Sequence, residues 1–460
     1  MKPDRHALSA LLVIGAASVL ASLDLFVVNL AFTSIRDSFP GATNRSLSWV
    51  LSAYSILFAA FLVPAGRLGD RYGRKRVFRL GLLVFAIASA ACAVAPTVAT
   101  LVAARALKGI GAALMIPTSL GLLLATFPEA KHKQMVSIWA ATGSVAAALG
   151  PVLGGVLVEQ SWRLIFLVNL PVAIPALLLS RTLVETPRVG SRVPDLLGSI
   201  VLTASVGCLV GVISVSTDAD TTRATLVGGA LLTCILTAVF VWRCLHAASP
   251  ALDLSVFRVP SFTLATIGML AFYIAFAMTL LAGTLLLTQV WRWDATKAGL
   301  AFGVGPLMGM IAALVAGRAS VSPRTLTIAG GGCIVLAGLF WCAVLGDEPH
   351  YLVHFLPGLL LTGAGAGMAQ TGFLAGGAAA LSPSAYATGT GILNTARQIG
   401  AAVGVALLVA VTGTAVGAGS YRNAFLVIAG FGVLTIASAA FLKANRGESR
   451  ALVERRRAET

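Results

Sequence analysis

Long apolar segments separated by short polar loops run through almost the whole of the 460-residue sequence. A helix needs about 20 apolar residues to cross the roughly 30 Å hydrocarbon core of a bilayer. Cutting the sequence at its charged and turn-forming residues leaves fourteen segments of this length. The pattern therefore predicts fourteen membrane-spanning helices, at residues 8–30, 47–66, 77–95, 98–124, 137–158, 163–181, 194–216, 224–245, 260–287, 297–317, 325–345, 351–376, 388–412 and 422–442.

The composition agrees with a chain that is surrounded mostly by lipid. Apolar residues make up 58% of the sequence, charged residues only 11%, and the mean hydropathy is +0.92. A soluble domain has about 25% charged residues and could not bury this much apolar side chain. These values exclude a soluble enzyme, a secreted disulfide-bonded protein and a disordered chain.

The sequence lacks the patterns of common enzyme and metal sites. Its six cysteines are scattered and form no CxxC or other metal-binding spacing. No phosphate-binding GxxxxGK[ST], HExxH or GxSxG pattern occurs. The net charge of +16 does not indicate nucleic-acid binding, because no soluble basic domain is visible. We therefore predict a protein that is not an enzyme, binds no nucleic acid and has no metal site.

The positive charges are distributed unevenly between alternate loops. With the N-terminus in the cytoplasm, most of the 33 lysines and arginines fall on the cytoplasmic side. This distribution follows the positive-inside rule. It predicts a multi-pass protein with both termini in the cytoplasm, and a composition rich in Ala, Gly and Arg suggests the cytoplasmic membrane of a bacterium. A count of twelve helices would give the same orientation.

The sequence divides into two distantly similar halves. Six predicted helices precede residue 190 and six follow residue 258, and Gly317-Arg318 occupies the place in the second half that Gly66-Arg67 holds in the first. Such a repeat is typical of transporters with a binding site at the membrane midplane. The predicted units are an N-terminal six-helix half, two inserted helices, a C-terminal six-helix half and a basic cytoplasmic tail, at residues 1–190, 191–250, 251–445 and 446–460.

A charged, glycine-rich loop, GRLGDRYGRKR over residues 66–76, follows the second predicted helix. Glycine permits a tight turn between helices, and a carboxylate there can cap a helix or pair with arginines. We expect the loop to latch the two halves in one conformation; the alternative is a plain positive anchor on the cytoplasmic side. The candidate latch residues are Gly66, Asp70, Arg71, Gly73 and Arg74.

A second glycine-rich segment lies in the fifth predicted helix. It contains Gly150, Pro151, Gly154 and Gly155. Small residues let membrane helices approach closely, and proline bends a helix. In one interpretation the bend at Pro151 blocks a leak path or acts as a hinge. In the other the segment is a site of ordinary close packing between helices, and the two interpretations are compatible.

Apart from Asp195, at the cytoplasmic end of the span 194–216, Asp24 is the only acidic residue within a predicted span. Ionisable residues in such positions are costly and usually functional. Asp24 lies about 9 Å below the outer end of its helix and Arg105 about 10 Å below the outer end of the fourth helix, so their depths allow a pair. We expect Asp24 to take up and release a proton, with burial favouring its protonated carboxyl group and Arg105 favouring its carboxylate. The alternative is a fixed structural ion pair.

Two more cations fall in the interior of predicted spans, away from their ends. Lys108 lies one turn below Arg105, and Arg397 lies in the thirteenth helix. No acid in the spans of the second half can pair with Arg397. Either carbonyl and amide groups accept hydrogen bonds from its guanidinium group, or it contacts a substrate. Because the interior is then net positive, we predict neutral, zwitterionic or anionic substrates.

Polar and aromatic residues at similar depths are candidates for a central substrate cavity. For any one of them, packing against other helices or against lipid is an equally ordinary role. The candidate cavity residues are Asn29, Tyr54, Tyr273, Gln370, Phe373, Asn394 and Arg397.

The loop at 66–76 resembles the signature loop of the major facilitator superfamily. LVAARALKGIGAA at 101–113 is similar to the fourth-helix motif of that superfamily, and GPVLGG at 150–155 to the fifth-helix motif of its antiporters. LDLFVVNLA at 23–31 resembles the first-helix motif of drug:proton antiporters. GTGILNTARQIGAAVGVALL at 389–408 resembles the thirteenth helix of the fourteen-helix drug exporters of the QacA/EmrB type.

The motifs are not matched at every position. Lys108 stands where the superfamily usually has glutamine, and Ala146 where the antiporters usually have glycine. Phe26 and Thr33 replace a usual threonine and proline in the first helix. These motifs indicate a family and a branch, and they do not encode a substrate.

The resemblance implies an all-α membrane protein with the major facilitator fold, built of two six-helix halves plus two inserted helices. It implies a secondary active transporter that exports amphipathic drugs or antibiotics in exchange for protons. The proton gradient supplies the energy, with no cofactor, and the expected partners are a small amphipathic substrate, protons and the lipid bilayer. The protein is expected to act as a monomer. The alternative is a metabolite or lipid transporter of the same fold.

Overall fold

The computed structural model describes residues 5–186, 193–216, 221–319, 321–382, 385–413 and 417–440. All regular structure in these ranges is helical. Fourteen of the described helices are long and apolar enough to cross a membrane, as the sequence predicts. They are α1 Ser9–Leu30, α2 Asn44–Tyr72, α3 Arg74–Ala93, α4 Val98–Thr126, α5 Glu129–Gln160, α6 Leu164–Thr182, α7 Leu196–Val215, α8 Arg223–His246, α9 Pro260–Val290, α10 Ala295–Arg318, α11 Pro323–Val344, α12 Tyr351–Gly377, α13 Tyr386–Thr412 and α14 Gly419–Ala440. The basic tail predicted at 446–460 lies outside the described residues.

The predicted loop between the second and third helices is almost entirely helical, which corrects the sequence interpretation of residues 66–76. α2 runs directly to Gly73, and α3 begins after it. Gly73 has a φ of 103°, a conformation that favours glycine. The helix continues past the apolar segment because Leu68 still packs against a small cluster of apolar side chains formed by Ala65, Val77 and Leu114.

The helices pack with an internal two-fold repeat. α1 packs along α5, α2 along α4, and α3 along α4. The same pairings recur eight helices later, where α9 packs along α13, α10 along α12, and α11 along α12. The repeat matches the similarity of the two halves in sequence.

Two long helix pairs join the first six helices to the last six. α5 packs along α10, and α2 packs along α13. The inserted helix α7 packs on both α2 and α13, so it covers the outside of that second seam, and α8 packs on α7. At the ends of the inserted pair, Asp195 caps α7 and forms a salt bridge of 2.6 Å with Arg243 of α8.

Glycines bring these helices into close contact where the bilayer provides no hydrophobic driving force between them. Gly109 of α4 lies against the backbone of Tyr54 on α2. Gly400 of α13 lies against α9 in the same way, since a Cβ atom at this position would come within 2.6 Å of the carbonyl oxygen of Leu270 and 3.0 Å of Cβ of Tyr273. The polar groups described below are buried because these helices approach so closely.

We expect Gly400→Ala to lower the stability of the folded protein by about 1–3 kcal/mol, because the added methyl group overpacks the α9–α13 contact. The matched control is Gly332→Ala in α11, where an added Cβ meets no atom within 4 Å. The measurement is the thermal unfolding midpoint of each purified variant in detergent. Equal midpoints for the two variants would show that close packing at Gly400 does not hold these helices together.

Candidate functional site

A buried cluster of three charged side chains lies between α1 and α4. Asp24 accepts a hydrogen bond from the Arg105 guanidinium on Oδ2 and one from the Lys108 ammonium on Oδ1, the latter at 2.5 Å. Arg105 and Lys108 lie three residues apart on α4, so they project from the same face of the helix. The exposed fraction is only 1% for Asp24, 1% for Arg105 and 0% for Lys108.

Arg105 has further partners on α2. Its Nε donates to the carbonyl oxygen of Val50 at 2.8 Å, and its guanidinium lies 4.5 Å from the centre of the Tyr54 ring. A carboxylate, a carbonyl and an aromatic face therefore share one permanently charged group. These contacts fix the position of Arg105 relative to both α1 and α2.

Lys108 has mostly apolar surroundings. Its Nζ atom lies 4.7 Å from the centre of the Phe85 ring on α3 and 5.2 Å from that of Phe166 on α6. Aromatic faces attract a cation, but more weakly than a carboxylate does. Lys108 thus depends on Asp24 for its strongest stabilising contact.

The structure brings Asp24 and Arg105 together, as the sequence indicates. The sequence interpretation gave Lys108 no partner, and the structure places it on the same carboxylate. The spacing of Arg105 and Lys108 by three residues was the available signal for this third member. The cluster consists of two cations and one anion, and it carries a net charge of +1 when all three are ionised.

A central cavity adjoins the cluster and is lined from both halves. Asn29 of α1, Tyr54 of α2 and Arg105 contribute from the first half, and Tyr273 of α9 and Arg397 of α13 from the second. The lining described by the structure contains no acidic residue. Both of its charged groups are arginines, which makes the cavity electropositive.

The hydroxyl groups of two tyrosines at the cavity differ in their hydrogen bonding. The Arg397 guanidinium lies 5.0 Å from the centre of the Tyr273 ring, whose hydroxyl donates to Oε1 of Gln370 at 2.6 Å. The hydroxyl of Tyr54 is buried and has no hydrogen-bond partner among the described residues. A buried hydroxyl without a partner is costly, so Tyr54 can gain by bonding to a molecule in the cavity.

Three of the seven residues predicted for the cavity do not line it. Gln370 lies behind Tyr273, which it holds by the hydrogen bond described above. Phe373 is fully buried against Gly268 of α9, where a glycine leaves room for its ring. Asn394 turns back to its own helix and donates to the carbonyl oxygen of Thr390 at 2.9 Å.

The charged segment at the cytoplasmic ends of α2 and α3 forms contacts with α4. Asp70 and Arg74 form a salt bridge of 2.9 Å, and Arg74 also donates to the carbonyl oxygen of Gly121 at 3.2 Å. The Arg71 guanidinium lies 5.5 Å from the centre of the Tyr72 ring. These contacts lie within the first six helices, and a latch between the halves stays a prediction.

Glu185, just after α6, is a member of this segment that the sequence did not indicate. Its carboxylate accepts a hydrogen bond of 2.9 Å from the backbone N–H of Lys75 in the first turn of α3. It also lies directly over Gly73, where an added Cβ would come within 2.7 Å of it. A carboxylate stabilises the N-terminus of a helix through its free N–H groups. Gly73 is therefore needed both for its φ and for this space, whereas a Cβ at Gly66 would make only an ordinary contact of 3.6 Å.

The glycine-rich segment of α5 contacts two helices at once. An added Cβ at Gly150 or Gly154 would meet Phe26 or Val27 of α1, at 2.8 and 3.2 Å. Gly155 faces the other way, towards the first turn of α10. Pro151 lies inside the same continuous helix. The segment therefore packs α1, which carries Asp24, against the second half of the molecule.

Comparison with known proteins gives a consistent result. The family model of the Major Facilitator Superfamily matches residues 14–405. The chain is 32% identical to the multidrug resistance protein Stp of Mycobacterium tuberculosis, over 88% of this chain and 76% of that protein. It is 32% identical to the cephamycin export protein CmcT of Amycolatopsis lactamdurans, over 92% and 90% of the two chains. It is 33% identical to the methylenomycin A resistance protein of Streptomyces coelicolor, over 85% and 82%.

Solved structures agree on the fold. The crystal structure of a D-xylose-proton symporter superimposes with a TM-score of 0.68 at 15% identity, covering 95% of this chain and 97% of that one. An inward-open structure of the xylose transporter XylE from E. coli gives a TM-score of 0.67 at 15% identity, with 97% and 99% covered. The arrangement of the helices is therefore that of these transporters.

We expect Asp24→Asn to destabilise the protein by about 3–5 kcal/mol, because it leaves two buried cations without their carboxylate. Adding Lys108→Met to this variant should restore part of the loss, since it removes one of the unpaired charges. The measurement is a double-mutant cycle on the thermal unfolding of the purified proteins.

The matched control is Asp37→Asn, which removes an acid from an exposed pair with Arg36 at 3.3 Å. A pair of this kind contributes about 0–1 kcal/mol. A loss for Asp24→Asn no larger than that of the control, or a further loss on adding Lys108→Met, would contradict the described cluster.

Proposed function

The chain belongs to the major facilitator superfamily, and we propose that it is a proton-coupled antiporter that exports amphipathic drugs or antibiotics. It is a multi-pass membrane transporter and not an enzyme. The observation that carries the proposal is the position of a buried, ionisable cluster directly beside a cavity lined by both halves. A proton site that shares Arg105 with a substrate cavity can make binding of the proton and binding of the substrate depend on each other.

The transport cycle follows from the two-fold packing. The halves move against each other around the central cavity and expose it to one side at a time. At the outer ends the halves touch, with the hydroxyl groups of Thr33 in the first half and Thr288 in the second 3.1 Å apart. Thr296 also donates to Glu159 across the same interface. Outward opening breaks these two side-chain hydrogen bonds, which contribute about 0.5–1.5 kcal/mol for the neutral pair and about 1.5–3 kcal/mol for the one to the Glu159 carboxylate.

The proton enters the cycle through the cluster. Outward opening lets the cluster take up a proton after the drug has left, and the return to the inward-facing state releases the proton to the cytoplasm. One proton that crosses a membrane potential of 100 mV supplies about 2.3 kcal/mol. This energy supports a concentration ratio of about fifty-fold for an uncharged compound.

The charges of the cavity favour substrates that are neutral, zwitterionic or anionic. Arg105 and Arg397 both line it, and its described lining has no carboxylate to hold a cation. The unpartnered hydroxyl of Tyr54 offers a donor or acceptor beside them. A dication would meet only repulsion from the two guanidinium groups.

Names of the relatives support export of antibiotics over the alternative of a metabolite or lipid transporter. They describe multidrug resistance, export of cephamycin and resistance to methylenomycin A. We place the protein in the bacterial cytoplasmic membrane as a monomer. Both termini lie in the cytoplasm, because the positive charges concentrate on that side of the membrane. In this orientation the drug leaves and the proton enters.

The test uses purified protein in proteoliposomes that contain a pH-sensitive dye. We expect chloramphenicol (neutral), norfloxacin (zwitterionic) or benzylpenicillin (anionic) to cause proton movement in the wild-type protein. Asp24→Asn should abolish this movement, because it removes the carboxylate that holds the cluster together. Asp37→Asn, the exposed control, should leave it unchanged.

Two results would refute the proposal. Proton movement that is intact in a folded Asp24→Asn variant would place coupling elsewhere in the protein. Saturable export of propidium, a dicationic dye, with none of the other three compounds would show that the charge of the cavity does not select the substrate.

A further inference from the structure

The buried cluster has one positive charge more than its single carboxylate can balance. Asp24 accepts hydrogen bonds from both Arg105 and Lys108, and it is the only acidic residue that is buried among the described residues. All three side chains are almost completely buried. A net charge in such a place is unfavourable, and the cluster can relieve it by losing one proton.

The three groups differ in what a change of protonation would do. Protonating Asp24 would raise the net charge of the cluster from +1 to +2 and would weaken two charge-assisted hydrogen bonds at once. Arg105 stays charged in proteins. Removing a proton from Lys108 would make the cluster neutral and leave the pair of Asp24 and Arg105 intact.

The surroundings of Lys108 favour this last change. The titratable or charged groups that act on Lys108 are Asp24 from α1, Cys92 from α3 and Arg105 on its own helix. The other neighbours of the ammonium are the Phe85 and Phe166 rings. Lysine loses its proton readily when it is buried among apolar groups and beside another cation.

We propose that Lys108, rather than Asp24, is the group that gains and loses the coupling proton. The inference rests on the proposed proton coupling and specifies the atom, Lys108 Nζ. Asp24 stays ionised throughout the cycle and acts as a positioning residue that holds Arg105 and Lys108. The proton bound by the amine comes from the outer solution and leaves to the cytoplasm, so no other reactant is needed.

The position of Arg105 connects this proton to the cavity. Arg105 contacts Asp24 on one side and lines the cavity on the other, beside Tyr54. When Lys108 is charged, it shares the carboxylate with Arg105; when Lys108 is neutral, Asp24 attracts Arg105 alone. The protonation of Lys108 therefore changes how strongly Arg105 is held at the edge of the cavity.

The first test needs no substrate and no transport. Infrared difference spectra of the purified protein between acidic and alkaline buffer detect the carbonyl stretch of a protonated carboxylic acid. We expect the wild-type protein and Asp24→Asn to give the same spectrum in this region, because Asp24 does not take up the proton. A protonated carboxylic acid band that is present in the wild type and lost in Asp24→Asn would overturn the proposal.

The second test compares two variants in proteoliposomes with radiolabelled chloramphenicol. Lys108→Met fixes the uncharged state, and we expect exchange of chloramphenicol between two equal solutions to persist. Accumulation driven by a proton gradient should fall from up to about fifty-fold, for one proton crossing 100 mV, to no accumulation. Lys108→Arg fixes the charged state and should lose both activities.

The matched control is Lys297→Met, which changes an exposed lysine that also lies over an aromatic ring, 4.2 Å from the centre of Trp293. It should keep both exchange and driven accumulation. Driven accumulation that survives in Lys108→Met would refute the assignment. If the wild-type protein moves no protons with any compound, the proposed antiport fails, and the infrared spectra still decide whether Asp24 takes up a proton.

Discussion

The structure depends on one buried carboxylate that is shared by two cations. Asp24 is the only buried acidic residue among the described residues, and it holds Arg105 and Lys108 of α4 against α1. A lone carboxylate buried in the membrane is energetically costly, and a simple ion pair has no net charge. Two cations on one carboxylate leave a net charge of +1, which the loss of one proton removes. The cluster can therefore change its charge without breaking the Asp24–Arg105 pair, and this is the property that a coupling site needs.

Close packing by small residues makes such a cluster possible. Gly150 and Gly154 bring α5 onto α1 beside Asp24, and Gly109 brings α4 onto α2 next to Arg105. Gly155, on another face of α5, contacts the first turn of α10, so the helix that packs beside the cluster also packs against the second half. Glycine thus determines both the burial of the charges and the surface along which the halves meet.

Hydropathy and charge predict the membrane spans and the pairing of Asp24 with Arg105, because both depend on regularities along single helices. The helical course through residues 66–76 was not predictable in this way, since it depends on the packing of Leu68 in a three-helix cluster. Glu185 and Phe373 are similar cases: one caps a helix that lies far away in sequence, and the other fills the space beside Gly268. The partner of Lys108 required the relative rotation of α1 and α4, which no single segment specifies.

The most direct test of this account is the charge carried per molecule of an uncharged drug. Currents from proteoliposomes on a solid-supported membrane, recorded with chloramphenicol flux, measure it. We expect one positive charge to move against each chloramphenicol molecule, because the cluster alternates between net charges of +1 and 0. Electroneutral flux of chloramphenicol through the wild-type protein would contradict a cluster that exchanges a single proton.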